Sequence, residues 1–268
     1  MPDFDFETAC TVLLGANLEA GACIMRHYAS DVAVETKADN SPVTLADGDA
    51  ERVLLPALAK LAPDIPVVSE ESAKELDADR GARFFLVDPL DGTKEFIKKR
   101  TDFTVNVALI ENGTPVFGIV YAPALKLLAF TLAPGKAVAT TLTPGSAAPS
   151  LSELDLKPLA VRPAPAEGLT AVVSASHLDA ETEAFLEEHP IAARESAGSS
   201  LKFLKVAQGE ADVYPRFGPT MEWDTAAGDA VLRAAGGSVV TPDGAPMRYG
   251  KWDRGLKNTS FIAWGAQR

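Results

Sequence analysis

The chain has 268 residues, 47% hydrophobic and 23% charged, with 25 Lys and Arg against 37 Asp and Glu and a net charge of −12. That length and apolar share allow a large core, built as one compact unit or as two apposed halves. The acidic balance argues against a nucleic-acid backbone as partner, and a small anionic ligand can bind only where a local basic pocket or bound cations intervene.

Residues 6–28 carry apolar side chains at helical spacing with few breakers, which predicts a long amphipathic first helix that Gly15 and Gly21 weaken locally. Cys10 and Cys23 share that helix without a C-x-x-C pattern or a histidine at metal spacing, so they read as reduced core thiols. His27, near its end, reads as a surface residue favoured by the helix dipole. No uninterrupted apolar run reaches the ~18 residues of a membrane span, and residues 1–7 are acidic. Neither a transmembrane segment nor a signal peptide is expected, and the cytoplasm is the expected location. Residues 39–44 form a polar turn cluster ahead of a second helical pattern over 46–61, with Asp47 in its first turn. Residues 65–69 read as a short strand that ends in Ser69-Glu70-Glu71, followed by a charged loop over 74–83.

The stretch from Phe84 to Ile97, FFLVDPLDGTKEFI, carries the strongest chemical signal. An apolar strand over 84–87 delivers Asp88, Pro89 is expected to force the chain out of the strand, and Asp91-Gly92-Thr93 leads into a helix starting near Lys94. Two carboxylates three residues apart beside a helix N-terminus offer hard oxygen ligands for a divalent cation where free N–H groups can receive a phosphate. Taken alone, the same residues also read as an ordinary Asx-type turn.

Strands over 104–110, 116–121 and 127–131, separated by Asn112-Gly113 and Pro123, predict an antiparallel meander. The stretch 144–152 and the Pro-rich 157–167 mark a composition shift, and they divide the chain into residues 1–150 and 151–268. Beyond the shift, strands over 169–174, 191–196 and 212–214 alternate with helices over 179–188, 199–208 and 223–235, an α/β pattern. Asp224 falls in the first turn of the last helix, and Gly236-Gly237 stops it.

Asp47, Glu70, Asp88, Asp91 and Asp224 each sit at the end of an element. Acids sharing one crevice repel one another and hold protons unless cations neutralise them, and an oxygen-only set suits magnesium. Glu70-Glu71, Asp88-Pro89-Leu90-Asp91-Gly92-Thr93 and Trp223-Asp224-Thr225-Ala226-Ala227-Gly228 closely resemble, in order and separation, the three signatures of the lithium-sensitive, magnesium-dependent phosphatase superfamily that includes the inositol monophosphatases. Lys94-Glu95-Phe96 after D-G-T, Gly198 to Phe203 and Tyr214 to Thr220 make the chain most similar to its bacterial 3′(2′),5′-bisphosphate nucleotidases of the CysQ type.

The resemblance implies an α+β and α/β architecture: a layered α-β-α-β-α sandwich of two apposed subdomains with the site between them. It implies that Glu70, Asp88 and the Leu90 carbonyl hold one magnesium and Asp88, Asp91 and Asp224 a second, with a third, weaker ion near Glu70. Asp47 and Thr93 match the pair that orients and deprotonates the attacking water, and the backbone N–H groups of Gly92 and Thr93 would stabilise phosphoryl charge. Glu70, Asp91 and Asp224 also face the substrate in this scheme. Ser199, Lys202 and Arg216 match positions that hold the second phosphate and sugar, with His177 near the nucleotide. Locally, Ser199 reads equally as an N-cap, Lys202 and Arg216 as solvated charges and His177 as a loop residue.

The implied activity is removal of the 3′-phosphate of adenosine 3′,5′-bisphosphate, linked to sulfur assimilation, with an inositol or sugar monophosphatase as the alternative. A catalytically silent metal-dependent binding protein is a third reading, opposed by the presence of every matching acid. The implied partner is a small nucleotide bisphosphate, and the resemblance leaves room for a homodimer and for a peripheral position on the inner face of the cell membrane.

Overall fold

A computed structural model describes residues 4–30, 34–36, 42–73, 80–174 and 179–266. Helix α1 (Phe6–Tyr28) starts where the Asp5 carboxylate accepts the Thr8 N–H at 3.1 Å. Strands β1 (Val34–Thr36) and β2 (Pro42–Thr44) pair antiparallel, and α2 (Leu45–Leu61) begins at a capping box in which the Asp47 carboxylate accepts the Thr44 N–H at 2.8 Å. Contrary to the expectation from apolar runs, α1 is long and apolar enough by composition to cross a membrane; 61% of that stretch is buried inside the protein, as in a core helix. Cys10 and Cys23 are free and buried, and His27 pairs with Asp49 of α2 at 2.7 Å.

The first sheet runs in the order β3 (Val67–Ser69), β4 (Arg83–Asp91), β5 (Thr104–Glu111), β6 (Thr114–Ala122), β7 (Leu127–Ala133), β8 (Lys136–Thr141), β9 (Lys157–Leu159), with the short helix α3 (Thr93–Ile97) between β4 and β5. β3 and β4 are parallel and every later pair is antiparallel, the meander with two more strands than the periodicity showed. β9 comes from the Pro-rich segment, which an edge strand tolerates. Pro89 does not end its strand: β4 continues to Asp91 through a register shift between Asp88 and Asp91, an irregularity of the kind that accommodates proline.

The second half builds β10 (Leu169–Ser174), α4 (Ala180–Glu188), β11 (Ile191–Ala197), α5 (Leu201–Ala207), β12 (Val213–Arg216), α6 (Glu222–Ala234), β13 (Ser238–Val240) and β14 (Phe261–Trp264), with sheet order β11-β10-β12-β14-β13. β10 runs parallel to β11 and β12, while β14 runs antiparallel to both β12 and β13. β13 and β14 are three and four residues long, too short to show a period in the sequence.

Three buried clusters define the layers. Leu13, Leu54, Phe85 and Val87 belong to the cluster between α1/α2 and the first sheet. Phe84, Leu86, Phe203 and Ala227 belong to the cluster between the two sheets, where α5 and α6 lie. Leu169, Phe185 and Ile262 fill the outer face of the second sheet under α4. The order is therefore α-β-α-β-α. Along β4 the side chains alternate, so Phe84 and Leu86 face α6 while Phe85 and Val87 face α1 and α2. By the same period Asp88 faces the middle layer. Gly118 lets α6 lie directly on the sheet, because a Cβ there would stand 2.4 Å from the Ala227 carbonyl oxygen.

Candidate active site

The site forms where strand ends of the first sheet meet helix starts of the middle layer. Parallel pairing of β3 with β4 brings Glu70 beside the end of β4, and its N–H donates to the Val87 carbonyl at 3.0 Å. Asp88 is buried, and one of its oxygens accepts the Leu90 N–H at 3.0 Å, so the Asx-type turn of this stretch forms at Asp88 rather than at Asp91. Gly92 enters α3 with φ +90°, and a Cβ there would stand 2.8 Å from the Asp102 carbonyl oxygen, so only glycine fits the turn. The Thr93 hydroxyl lies 3.2 Å from the Leu90 carbonyl and 3.5 Å from Asp47 Oδ1, the latter at the limit of a hydrogen bond. Asp47 Oδ2 is fully engaged by the Thr44 N–H and hydroxyl, both at 2.8 Å, which leaves Oδ1 turned to Thr93.

From the second half, Ser199 donates to Asp91 Oδ2 at 2.6 Å, and Ser200 donates to the Asp224 backbone carbonyl at 2.9 Å. Ser199 adopts φ +52° one residue before the N-cap of α5, a position held by Ser200, so it is not itself the cap. Lys202 is buried, contrary to its reading as a solvated charge, with its ammonium 2.6 Å from the Ser199 carbonyl and 5.3 Å from the Tyr214 ring centre. Arg216 is buried too, donating to Gly218 O at 3.2 Å and Pro219 O at 2.9 Å. At the start of α6, Asp224 accepts the Met221 N–H at 2.9 Å.

Glu70, Asp88, Leu90, Asp91, Gly92, Thr93, Ser199, Lys202, Arg216 and Asp224 line one cleft of about 450 Å³, with Asp47 buried behind Thr93. His177 lies outside the described residues. Glu95, Thr220 and Lys257 also line the cleft, residues to which the sequence assigns no role. Glu95 and Thr220 belong to stretches that carry the resemblance, whereas Lys257 follows no local pattern and reaches the cleft only through tertiary pairing.

The electrostatics are those of crowded like charges. Burial raises the Asp88 carboxyl well above its ordinary range, and Glu70, Asp91, Asp224 and Asp47 each push it further. Asp224 is likewise raised well above its range by burial, Asp91 and Glu70. Asp91 is raised by burial against the pull of Ser199 and Lys202. Asp47 is pushed up to about 6 by burial, with Glu71 and Glu70 adding to it and the Thr44 bonds opposing it. Among the described residues no three acidic, histidine or cysteine side chains stand together as a formed metal cage. Asp88, Asp91 and Asp224 each accept from a neutral hydroxyl or amide, and among the described residues no cation is a principal influence on Asp88. This all-oxygen donor set of crowded carboxylates fits hard divalent cations such as magnesium.

The inositol monophosphatase family model matches residues 5–265. The 3′(2′),5′-bisphosphate nucleotidase CysQ of Shigella flexneri is 45% identical over 233 residues, covering 86% of this chain and 89% of that protein. A crystal structure of CysQ from Bacteroides thetaiotaomicron, a bacterial member of the inositol monophosphatase family, matches with a TM-score of 0.82 and 37% identity over 99% of this chain and 100% of that one. The inositol monophosphatase of Thermotoga maritima shares the fold at a TM-score of 0.70 and 24% identity, over 94% of this chain and 90% of its own. The layered fold, the acid-lined cleft between its halves and these matches agree along nearly the whole chain, which belongs to the inositol monophosphatase family, in the branch of the CysQ proteins.

Proposed function

We propose that the protein is a magnesium-dependent 3′(2′),5′-bisphosphate nucleotidase that hydrolyses the 3′-phosphate of adenosine 3′,5′-bisphosphate to AMP and phosphate, acting in the cytoplasm in support of sulfur assimilation. The observation that carries the reading is the 45% identity to a CysQ nucleotidase over 86% of the chain. The cleft supports it, with the acids and the buried cations Lys202 and Arg216 lining the same cavity. The family is metal-dependent. Glu70, Asp88 and the Leu90 carbonyl would hold one magnesium ion and Asp88, Asp91 and Asp224 another, with a third, weaker position near Glu70. When bound, the ions supply Lewis acidity towards the phosphoryl group and the leaving oxygen.

The chain's own groups do the rest. The Thr93 hydroxyl donates towards Asp47, so its lone pair can accept a proton from water, and a carboxyl pushed up to about 6 is suited to take that proton near neutral pH. The N–H groups of Gly92 and Thr93, at the start of α3, lack intrahelical acceptors and are available to equatorial phosphoryl oxygens. Ser199 holds Asp91 in place through its 2.6 Å hydrogen bond. Arg216 and Lys202, with Ser199, would hold the second phosphate and sugar, and His177 would lie near the nucleotide. In this scheme the half up to residue 150 carries most metal ligands, and the half from 151 carries Asp224 and the substrate contacts.

The test is phosphate release from adenosine 3′,5′-bisphosphate and from inositol 1-phosphate, with and without magnesium. Magnesium-dependent preference for the bisphosphate is expected. Arg216→Ala should lose roughly ten- to a hundredfold in kcat/KM on the bisphosphate and little on a monophosphate, as removal of a charge-assisted hydrogen bond predicts. A preference of the unmutated protein for inositol 1-phosphate would overturn the reading.

A further inference from the structure

Lys257 lines the cleft, yet neither family signature nor local pattern singles it out. Its side chain is exposed, and among the described residues its ammonium has no hydrogen-bond or ion-pair partner. None of the other three cations that line the cleft is free: Lys94 has a partner of its own, Lys202 donates to the Ser199 carbonyl at 2.6 Å, and Arg216 spends two of its N–H groups on Gly218 O and Pro219 O at 3.2 and 2.9 Å. Lys257 therefore carries the most readily available positive charge of the four.

Its position is fixed by the chain around it. Lys257 forms an antiparallel bridge with Met221, Glu222 N–H donates to Leu256 O at 2.9 Å, and Asn258 N–H donates to Thr220 O at 3.0 Å. The Asn258 side chain adds a 2.7 Å bond to the Met221 carbonyl. Leu256 just before it is buried and has φ +60°, a left-handed conformation that costs a branched side chain energy and persists only where the surroundings enforce it. This clamp lays Lys257 against the 218–221 loop, whose carbonyls hold Arg216 and which leads into Asp224.

We propose that Lys257 is a specificity-determining residue, its ammonium meeting the non-scissile phosphate of a nucleotide bisphosphate on the cleft wall it shares with Arg216. The inference rests on the nucleotidase reading above. In a chain of net charge −12 with five acids around the cleft, a substrate carrying two phosphates gains most from a cation that has no competing partner. A substrate with only the scissile phosphate has nothing to present to Lys257.

The experiment is steady-state kinetics of the full chain with magnesium, comparing the unmutated protein, Lys257→Met and Lys257→Arg on adenosine 3′,5′-bisphosphate and on adenosine 3′-monophosphate. For Lys257→Met, KM for the bisphosphate should rise about three- to tenfold with kcat held within about twofold, and the monophosphate should be unaffected, as loss of a solvent-screened charge contact predicts. Lys257→Arg should restore KM, and the defect should shrink on raising salt to about 0.3 M. No change in KM, an equal rise on both substrates, or a fall in kcat alone would overturn the assignment. Failure of the unmutated protein to turn over the bisphosphate would instead bring down the nucleotidase reading itself, an outcome visible before any variant is made.

Discussion

Helix α6 carries two acids whose carboxyls desolvation raises, in opposite circumstances. Asp229, fully buried, is met by Arg233 Nε at 2.5 Å and by the Tyr249 hydroxyl at 3.0 Å; burial raises its carboxyl, and Arg233, Tyr249 and Lys251 all oppose that rise. Asp224, about a turn and a half earlier, is raised by burial and then by Asp91 and Glu70, with a backbone amide and Arg216 in opposition. Asp88 has no positive charge among its principal influences, only burial and four acids. The same helix thus holds an acid whose charge the fold completes and one whose charge the fold leaves to something else. Burial is common to both, so burial of an acid says little about function; the sign of the neighbouring charges separates scaffold from site.

The largest effect tests the scaffold side. Asp229→Ala leaves the Arg233 guanidinium without its carboxylate in a mostly buried position and should lower unfolding free energy by about 3–5 kcal/mol. Activity per folded molecule should stay near normal below the unfolding transition. Urea unfolding beside initial rates measures both, and a variant that is stable yet inactive would place Asp229 with the site.

Asp224→Asn should do the reverse. Removing one of several like charges relieves repulsion, so stability should hold or rise slightly, while loss of a charged ligand should cut turnover at least about a hundredfold at fixed magnesium. Near-normal rates at millimolar metal would show that Asp224 is not a ligand. A large loss of stability would move it to the scaffold side of the comparison.

This division was only half legible in the sequence. The motif acids Asp88, Asp91 and Asp224 declare themselves because each stands at the end of a predicted strand or helix, and strand alternation through Phe84 and Leu86 aims Asp88 at the middle layer. Glu222 sits on the same helix with nothing local to mark it, and Asp229 with only Arg233 at i+4, a spacing shared by ordinary surface pairs. Their partners Tyr249, Gly250 and Lys251 arrive from a segment with little regular structure, Glu222 accepting the Gly250 N–H at 2.7 Å and the Lys251 N–H at 3.0 Å. Lys202 and Arg216 read as solvated because a charged residue's burial depends on which helix and loop fold over it. Short strands such as β13 and the run of β4 through Pro89 were missed for a related reason: pairing partners decided them, and local propensity did not.

The water-activating pair offers a finer cut within the site. Thr93→Ala removes the hydroxyl between Leu90 O and Asp47 Oδ1 without touching a proposed metal ligand side chain. It should lower kcat by roughly ten- to a hundredfold, the scale of general-base assistance, with KM within about threefold. A raised KM with kcat intact would make Thr93 a binding group.

The smallest effect comes from a compensated acid at the margin of the core. Asp212 accepts both Arg162 Nε and Nη2 at 2.8 Å and the Thr170 N–H at 2.7 Å. Burial works to raise its carboxyl, but the Arg162 fork and the Thr170 N–H outweigh it and hold the group below its ordinary value. A carboxyl lowered on folding binds more protons when unfolded, so its stabilisation is complete above the unfolded pKa, near about 4, and is lost as pH falls through the folded value. Arg162 is about a third exposed, so solvent screening limits the pair. Asp212→Asn should therefore cost about 1 kcal/mol at pH 7, and the difference from the unmutated protein should narrow on acidification below about pH 4. Urea unfolding of both proteins at pH 7, 5 and 3.5 tests this, since a gap that widens towards acid would mean the fold strains Asp212 as it strains Asp88, and the sign of neighbouring charge would no longer divide the two classes.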